Sequence, residues 1–236
     1  MKNFILLLCL ALCFAACKNS SQKILDQFEA NFEQEEKKLD TDFDAYLERA
    51  SNLSINLNKK NFYEEQSKIL DEVQPADLSE EGQEQLNFSK SLVNEKLQAV
   101  SIKIKQLQNP KFYELLPFFE SNFNASQLAA PSQLSFFQRE LAMVPHFFEQ
   151  AKSNIQQPNL KDIQQAVLQQ TKFFSFLRDE MRQLIDGLDN KEQQKKLHLL
   201  TDDGIIAVKD FVAYCRSLQF EIRDSKLKAE RPENID

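Results

Sequence analysis

The chain has 236 residues, with 29 Lys and Arg against 36 Asp and Glu for a formal net charge of −7, and three glycines beside seven prolines and twenty phenylalanines. Three glycines cannot supply both a Gly-rich phosphate loop and the turns of a multi-stranded sheet, which argues against nucleotide-binding α/β folds and β-sandwiches. The acidic balance argues against a nucleic-acid surface, which needs clustered cations to displace counterions, so an all-helical chain is expected.

Met1-Lys2-Asn3 precedes an apolar run from Phe4 to Ala16. Such a run is too short to span a bilayer, which takes about 20 apolar residues, and has the length of a signal-peptide core. Phe14-Ala15-Ala16-Cys17, with the polar Lys18-Asn19-Ser20-Ser21-Gln22 after it, resembles a bacterial lipoprotein box, apart from Phe14 where Leu is usual. The resemblance implies cleavage before Cys17 and a diacylglyceryl group on its thiol. An ordinary secretory site wants small residues at both −1 and −3, and Phe14 falls at −3. Residues 1–16 are therefore expected to be signal, 17–22 a short lipidated tether, 23–225 one helical domain and 226–236 a charged flexible tail. With several acyl chains at Cys17 the membrane attachment should be stable. Lys18 after the cysteine is similar to signals that permit transfer to an outer membrane, so the expected location is the envelope, facing the periplasm.

Cys9 and Cys13 would leave with the signal and Cys17 would carry lipid. That leaves Cys215 as the lone thiol, without an intramolecular disulfide. An acidic body is not drawn to anionic headgroups, so the membrane partner is reached through Cys17 alone.

Ser20 or Ser21 is expected to cap a first helix running to about Ala50, with Ile24, Leu25, Phe28, Phe32, Leu39, Phe43 and Leu47 at helical spacing. Leu53 to Leu57 reads as a polar break, followed by a short helix near Asn61 to Val73 that Pro75 closes. Ser79 with Glu80 and Glu81 is an N-cap and acidic first turn, opening a stripe of Leu86, Val93, Leu97, Val100, Ile104 and Leu107. Asn109-Pro110 starts the next helix, which Pro117 bends or ends. A long helix from Pro131 presents Leu134, Phe137, Leu141, Val144, Phe148, Ala151 and Ile155, with a kink expected before Pro145.

Asn159 and Asp162 cap a helix carrying Ile163, Val167, Phe174, Leu177, Met181 and Leu184, and Gly187 reads as its left-handed C-cap. Asn190 and Gln193 have capping-box spacing before a final helix bearing Leu197, Val208, Phe211, Cys215 and Leu218, with the tail frayed from Arg223. Short links between long amphipathic helices predict an antiparallel up-and-down bundle or stacked helical hairpins, about six to seven helices in all. Phe-Phe pairs at 118/119, 136/137, 147/148 and 173/174 widen the apolar face. They predict a thick aromatic core, or alternatively a groove for a lipid or peptide.

No catalytic, cofactor or metal set emerges. A zinc peptidase helix needs His-Glu-x-x-His so that both imidazoles share one face, but His146 and His198 are far apart and neither begins that motif. His146 with Glu149 and His198 with Asp202 have helical contact spacing. Cys215 and His198, seventeen residues apart, would be separated by about 25 Å along one continuous helix. Cys215 lies on the apolar stripe as a small core residue. Asp202-Asp203-Gly204 and Asp186 to Asn190 cluster oxygens without the register of a calcium loop.

Leu78-Ser-Glu-Glu-Gly-Gln-Glu-Gln-Leu86, and Arg139-Glu-Leu-Ala-Met-Val-Pro-His-Phe-Phe-Glu-Gln-Ala-Lys-Ser-Asn-Ile155 leading through Pro158 to Phe176-Leu177, resemble the helical N-terminal half of the bacterial domain-of-unknown-function family 885. Members are often exported or lipidated, and full-length ones carry His-Glu-x-x-His in a C-terminal half that this chain lacks. The resemblance implies a stand-alone helical half with no zinc ligand at any residue here. Two functions are therefore expected: a lipid-anchored, non-catalytic helical envelope protein that binds a partner or ligand, or an accessory subunit of a zinc-metallopeptidase-like family acting with a separate catalytic chain.

Overall fold

A computed structural model describes residues 2–40, 44–123 and 131–230, with side chains over 20–40, 44–48, 50–123 and 132–225. All regular structure among the described residues is helical, as the composition predicts. The order is α1 (Lys2–Lys38), α2 (Tyr46–Ser51), α3 (Leu53–Asp71), a 3-10 turn (Pro75–Asp77), α4 (Glu80–Leu107), a 3-10 turn (Pro110–Phe112), α5 (Leu116–Asn122), α6 (Pro131–Asn154), α7 (Leu160–Ser175), a π-helical segment (Phe176–Met181), α8 (Arg182–Asp186) and α9 (Lys191–Glu230). Where the sequence reads 23–225 as one domain, the chain divides into two compact units: 1–42 with 54–104, and 43–53 with 105–236.

In the first unit Leu25, Phe28, Phe32, Tyr63, Leu70, Leu86 and Val93 are buried, one stripe from each of α1, α3 and α4. Glu36 ties the three helices together. Tyr63 Oη donates to its Oε1 at 2.5 Å, and Lys96 Nζ donates to both oxygens at 2.6 and 2.7 Å. Burial pushes the Glu36 carboxyl up, but the Lys96 ammonium and the Tyr63 hydroxyl outweigh it and hold the group below its ordinary value. Ser20 and Ser21 do not start a helix, because α1 already runs through them. Ser21 Oγ instead donates to Asp77 Oδ2 at 3.2 Å and accepts from Gln74 N, fixing the turn that Pro75 opens. Ser79 caps α4 as expected, its Oγ accepting from Gly82 N at 3.1 Å.

The first helix ends at Lys38 rather than near Ala50, and the stretch 53–57 read as a break is the start of α3. The true break lies at Ser51-Asn52, where neighbours fill the backbone groups that a helix end leaves open. Ser51 Oγ donates to Leu47 O and to Gln150 Oε1, and Asn154 Nδ2 donates to Ser51 O at 2.7 Å. Phe43 lies outside the described residues.

The second unit is built on α9, which packs along α6 and α7, while α2 packs on α6. The seven apolar positions expected on the helix from Pro131 are all buried, and α6 continues through Pro145. On α9, Leu197, Ile205, Val208, Phe211 and Cys215 face the same core. Burial of one such Leu or Phe stabilises by about 1.5–3 kcal/mol. Each Phe-Phe pair places at least one ring fully in this core and none is exposed, so the thick aromatic core is what these pairs build. Phe119 and Phe173, for example, meet at 5.2 Å.

Several predicted boundaries change for local reasons. Pro117 sits in the first turn of α5, where its missing N–H costs nothing, and so starts that helix instead of bending one. Along α7 the buried residues are Asp162, Ile163, Ala166, Gln170 and Phe173, and beyond them Phe176, Leu177, Met181 and Ile185. Val167, Phe174 and Leu184, expected on the same stripe, are only half-buried. The π segment adds a residue to its turn, and beyond it the inward position falls at Ile185 rather than Leu184. Gly187 ends α8 at φ −77° and ψ −4°, so no left-handed cap forms. The link to α9 is closed instead by the buried side chain of Gln194, which donates to Asp186 O and Leu188 O. Asn190 caps α9 by accepting from Glu192 N and Gln193 N. α9 remains helical to Glu230, past the expected fraying at Arg223 and into the expected tail, whose residues 231–236 lie outside the described ones.

Candidate functional site

A groove of about 300 Å³ runs between α7 and α9. From α7 come Gln170, Thr171 and Phe174, spaced so that the first and last lie one turn apart on the same face. From α9, Val208, Val212 and Arg216 form one row at four-residue steps, and Lys209 and Ala213 a parallel row beside it. Phe174, Val208 and Val212 supply an apolar wall. Lys209 Nζ lies 5.2 Å from the centre of the Phe174 ring, and the Arg178 guanidinium, paired with Asp179, lies 5.4 Å from it.

Two features of the groove are unspent. Lys209 and Arg216 are exposed and form no ion pair among the described residues, although carboxylates outnumber cations in this chain. Gln170 has no exposed surface. Its Nε2 donates to Tyr113 O at 2.7 Å, while its Oε1 is buried without a hydrogen-bond partner among the described residues. A buried acceptor left unmade costs about 1–3 kcal/mol, so the position is expensive unless something fills it. Tyr113, which holds Gln170, is itself fixed. Its hydroxyl donates to Leu107 O at 2.5 Å and accepts from Asn154 Nδ2 at 2.9 Å, and burial pushes its pKa up to about 12.

Two other depressions are described. In the first unit, a hollow of about 250 Å³ has a floor of Phe28, Phe32 and Phe62 and a rim of Gln27, Asn31 and Gln66. In the second, a polar cleft of about 150 Å³ is lined by Gln108, Asn109, Gln156, Gln157, Asn159 and Asp162. Gln157 takes φ +44°, a left-handed backbone rare for a side chain of this kind. The cleft's one carboxylate is saturated: Asn109 Nδ2 and Asn159 Nδ2 each donate to Asp162 Oδ2 at 2.6 Å, and Lys111 Nζ donates to Oδ1 at 3.0 Å.

The residues singled out from sequence are dispersed. The Cys17 side chain lies outside the described ones. His146 Nε2 meets Gln150 Nε2 at 2.9 Å rather than Glu149, which pairs with Lys152. His198 Nε2 meets Asp186 Oδ1 at 2.9 Å rather than Asp202, which pairs with Arg182. Cys215 and His198 sit on one uninterrupted helix, so they are kept far apart. Cys215 is fully buried, and burial pushes its thiol up to about 12. Among the described residues no group of three or more His, Cys, Asp or Glu could hold a metal ion. The groove was not anticipated. Its legible signals are a glutamine on the apolar stripe of α7 and two basic residues seven apart, with Val212-Ala213 between them.

No family model matches the chain, and no curated protein matches it. A solved structure of a candidate lipoprotein of unknown function from Shewanella oneidensis is similar in fold, with a TM-score of 0.52 and 17% identity over 92% of this chain and 38% of that one. The chain thus spans well under half the length of the structure it matches.

Proposed function

We propose that this is a lipid-anchored helical protein of the bacterial envelope, attached through Cys17 to the periplasmic face of the outer membrane, which binds a partner or ligand without chemistry of its own. The observation that carries the reading is the junction Phe14-Ala15-Ala16-Cys17, where an apolar run meets an abruptly polar stretch at a cysteine. Among the described residues no helix is long and apolar enough to cross a membrane. The solved structure that shares the fold is itself described as a candidate lipoprotein, which supports the same reading. The groove supports a binding role, because its lining side chains offer charge, a hydrogen-bond acceptor and apolar surface. Fractionation tests the anchor: Cys17→Ala should move the protein from the membrane fraction to the soluble periplasm and abolish incorporation of labelled fatty acid. A membrane-bound Cys17→Ala protein would refute it.

A second reading rests on the resemblance of Leu78–Leu86 and Arg139–Ile155 to the helical half of a zinc-metallopeptidase-like family. In that reading the protein is an accessory helical subunit beside a separately encoded zinc-metallopeptidase-like chain. Co-purification of such a chain from solubilised envelope would establish it, and purified protein showing chelator-sensitive peptidase turnover by itself would overturn both readings.

A further inference from the structure

We infer that the groove between α7 and α9 is a subsite for the carboxy-terminal end of an apolar peptide. The inference rests on the binding role proposed above and names its ligand. Three requirements on the occupant come from the side chains. Lys209 and Arg216, without an ion pair among the described residues of an acidic chain, call for an anion. Phe174, Val208 and Val212 call for an apolar body. The buried Oε1 of Gln170 calls for an N–H or O–H donor.

The arrangement of the helices orders these groups. α9 returns after the short 187–190 link and packs along α7, so the two run antiparallel, and the Lys209–Phe174 contact sets the level. One turn further from the link Gln170 falls level with Ala213, placing the orphan acceptor between the two cations. Lys209 and Arg216 are seven residues apart, about 10 Å along the helix axis, which is roughly the length of three extended residues. A peptide end offers the three partners in that space. A terminal carboxylate meets the planar Arg216 fork, an apolar last side chain rests on Val212 and Phe174, and the N–H of the last residue takes up Gln170 Oε1 once the peptide draws that buried oxygen out to the groove. A volume of about 300 Å³ is small enough to hold a chain end rather than a long segment. A fatty-acid anion satisfies the charge and the apolar wall but carries no donor for Gln170, so it is the weaker match.

The test uses the full chain purified in detergent and, as probe, an N-acetylated tripeptide ending in leucine, titrated by calorimetry. The free acid should bind saturably at one site. Its carboxamide should bind about tenfold more weakly, as should the free acid to Arg216→Gln, because each removes one half of a charge-assisted pair. Lys209→Gln should weaken binding less, and Gln170→Met should abolish the preference for the free acid over the same acid N-methylated at its last amide. Arg216 and Lys209 are exposed, so their variants should keep the native helical circular dichroism, and the acid–carboxamide comparison needs no variant at all. Equal binding of acid and carboxamide, dodecanoate binding as well as the peptide, an unaffected Arg216→Gln, or no saturable binding by folded protein would each overturn the inference while leaving the Cys17 anchor intact. Recovery of cleaved peptide together with Arg216-dependent binding would keep the subsite and overturn the non-catalytic reading instead.

Discussion

Glu140 Oε2 accepts the backbone N–H of Leu47 at 3.0 Å while Oε1 accepts that of Tyr46 at 2.9 Å, so one carboxylate on α6 fills the open first turn of α2. Glu140 has no exposed surface, and the Arg139 guanidinium is 3.6 Å away. Helix N-terminal N–H groups have no partner within their own helix, and a buried carboxylate has no water, so each group supplies what the other lacks.

Glu140→Gln is expected to destabilise the protein by about 2–3 kcal/mol, because an amide keeps one acceptor where two N–H groups need two. Urea unfolding should show a lower midpoint with an unchanged slope, and hydrogen exchange should quicken at Tyr46 and Leu47. A loss below about 0.5 kcal/mol, the size of an ordinary surface substitution, would show that the contact is not holding α2.

Asp162 gives a pH dependence with a defined sign. Burial pushes its carboxyl up, but Lys111 with the Asn109 and Asn159 amides outweighs this and holds it below its ordinary value. The unfolded chain therefore takes up the proton first as pH falls. Its stabilisation is complete above the unfolded carboxylate value near about 3.9 and is lost as pH falls through the lower folded value. Asp162→Asn should lower stability at neutral pH and flatten that acid limb, so that the two unfolding curves converge in acid. Parallel curves down to about pH 2 would contradict this.

Gly204 sits in α9 where a Cβ would lie 3.5 Å from Leu177 Cδ1 and 3.6 Å from Val144 Cγ1, ordinary contact distances. Gly204→Ala should therefore raise stability by about 0.5–1 kcal/mol, through lost backbone freedom in the unfolded chain. Gly204→Leu should lower it by about 1–3 kcal/mol by overpacking the contact with α6 and the π segment. Thermal melting of the pair separates the two effects, and a destabilising alanine would place the helices closer than these distances.

Cys215 should behave as a core atom. In a chain with Cys9, Cys13 and Cys17 replaced by alanine, a thiol reagent should label Cys215 at the rate of unfolding in native buffer, and rapidly in denaturant. Fast labelling of the folded protein would contradict the burial of this side chain.

The amphipathic stripes were the most legible part. On α6 every expected core position from Leu134 to Ala151 is buried, as is Ile155 just beyond the helix, and on α9 so are Leu197, Val208, Phe211 and Cys215. The side-chain caps at Ser79, Asn159 and Asn190 were equally readable, because a cap is a bond between residues two or three apart. The groove was not, since Gln170 and Lys209 become neighbours only when α9 folds back along α7. What could be read was only that Gln170 interrupts an apolar face.

The sequence by itself determined an all-helical chain, its apolar faces and the isolation of its two histidines, because composition and spacing of three or four residues act along one helix. Tertiary structure alone decided the rest. It ended α2 at Ser51 through the Gln150 and Asn154 side chains, turned Phe173 inward ahead of a π segment, and left Gln170 Oε1 without a partner. Each of these depends on a group far along the chain, so no local pattern encodes it.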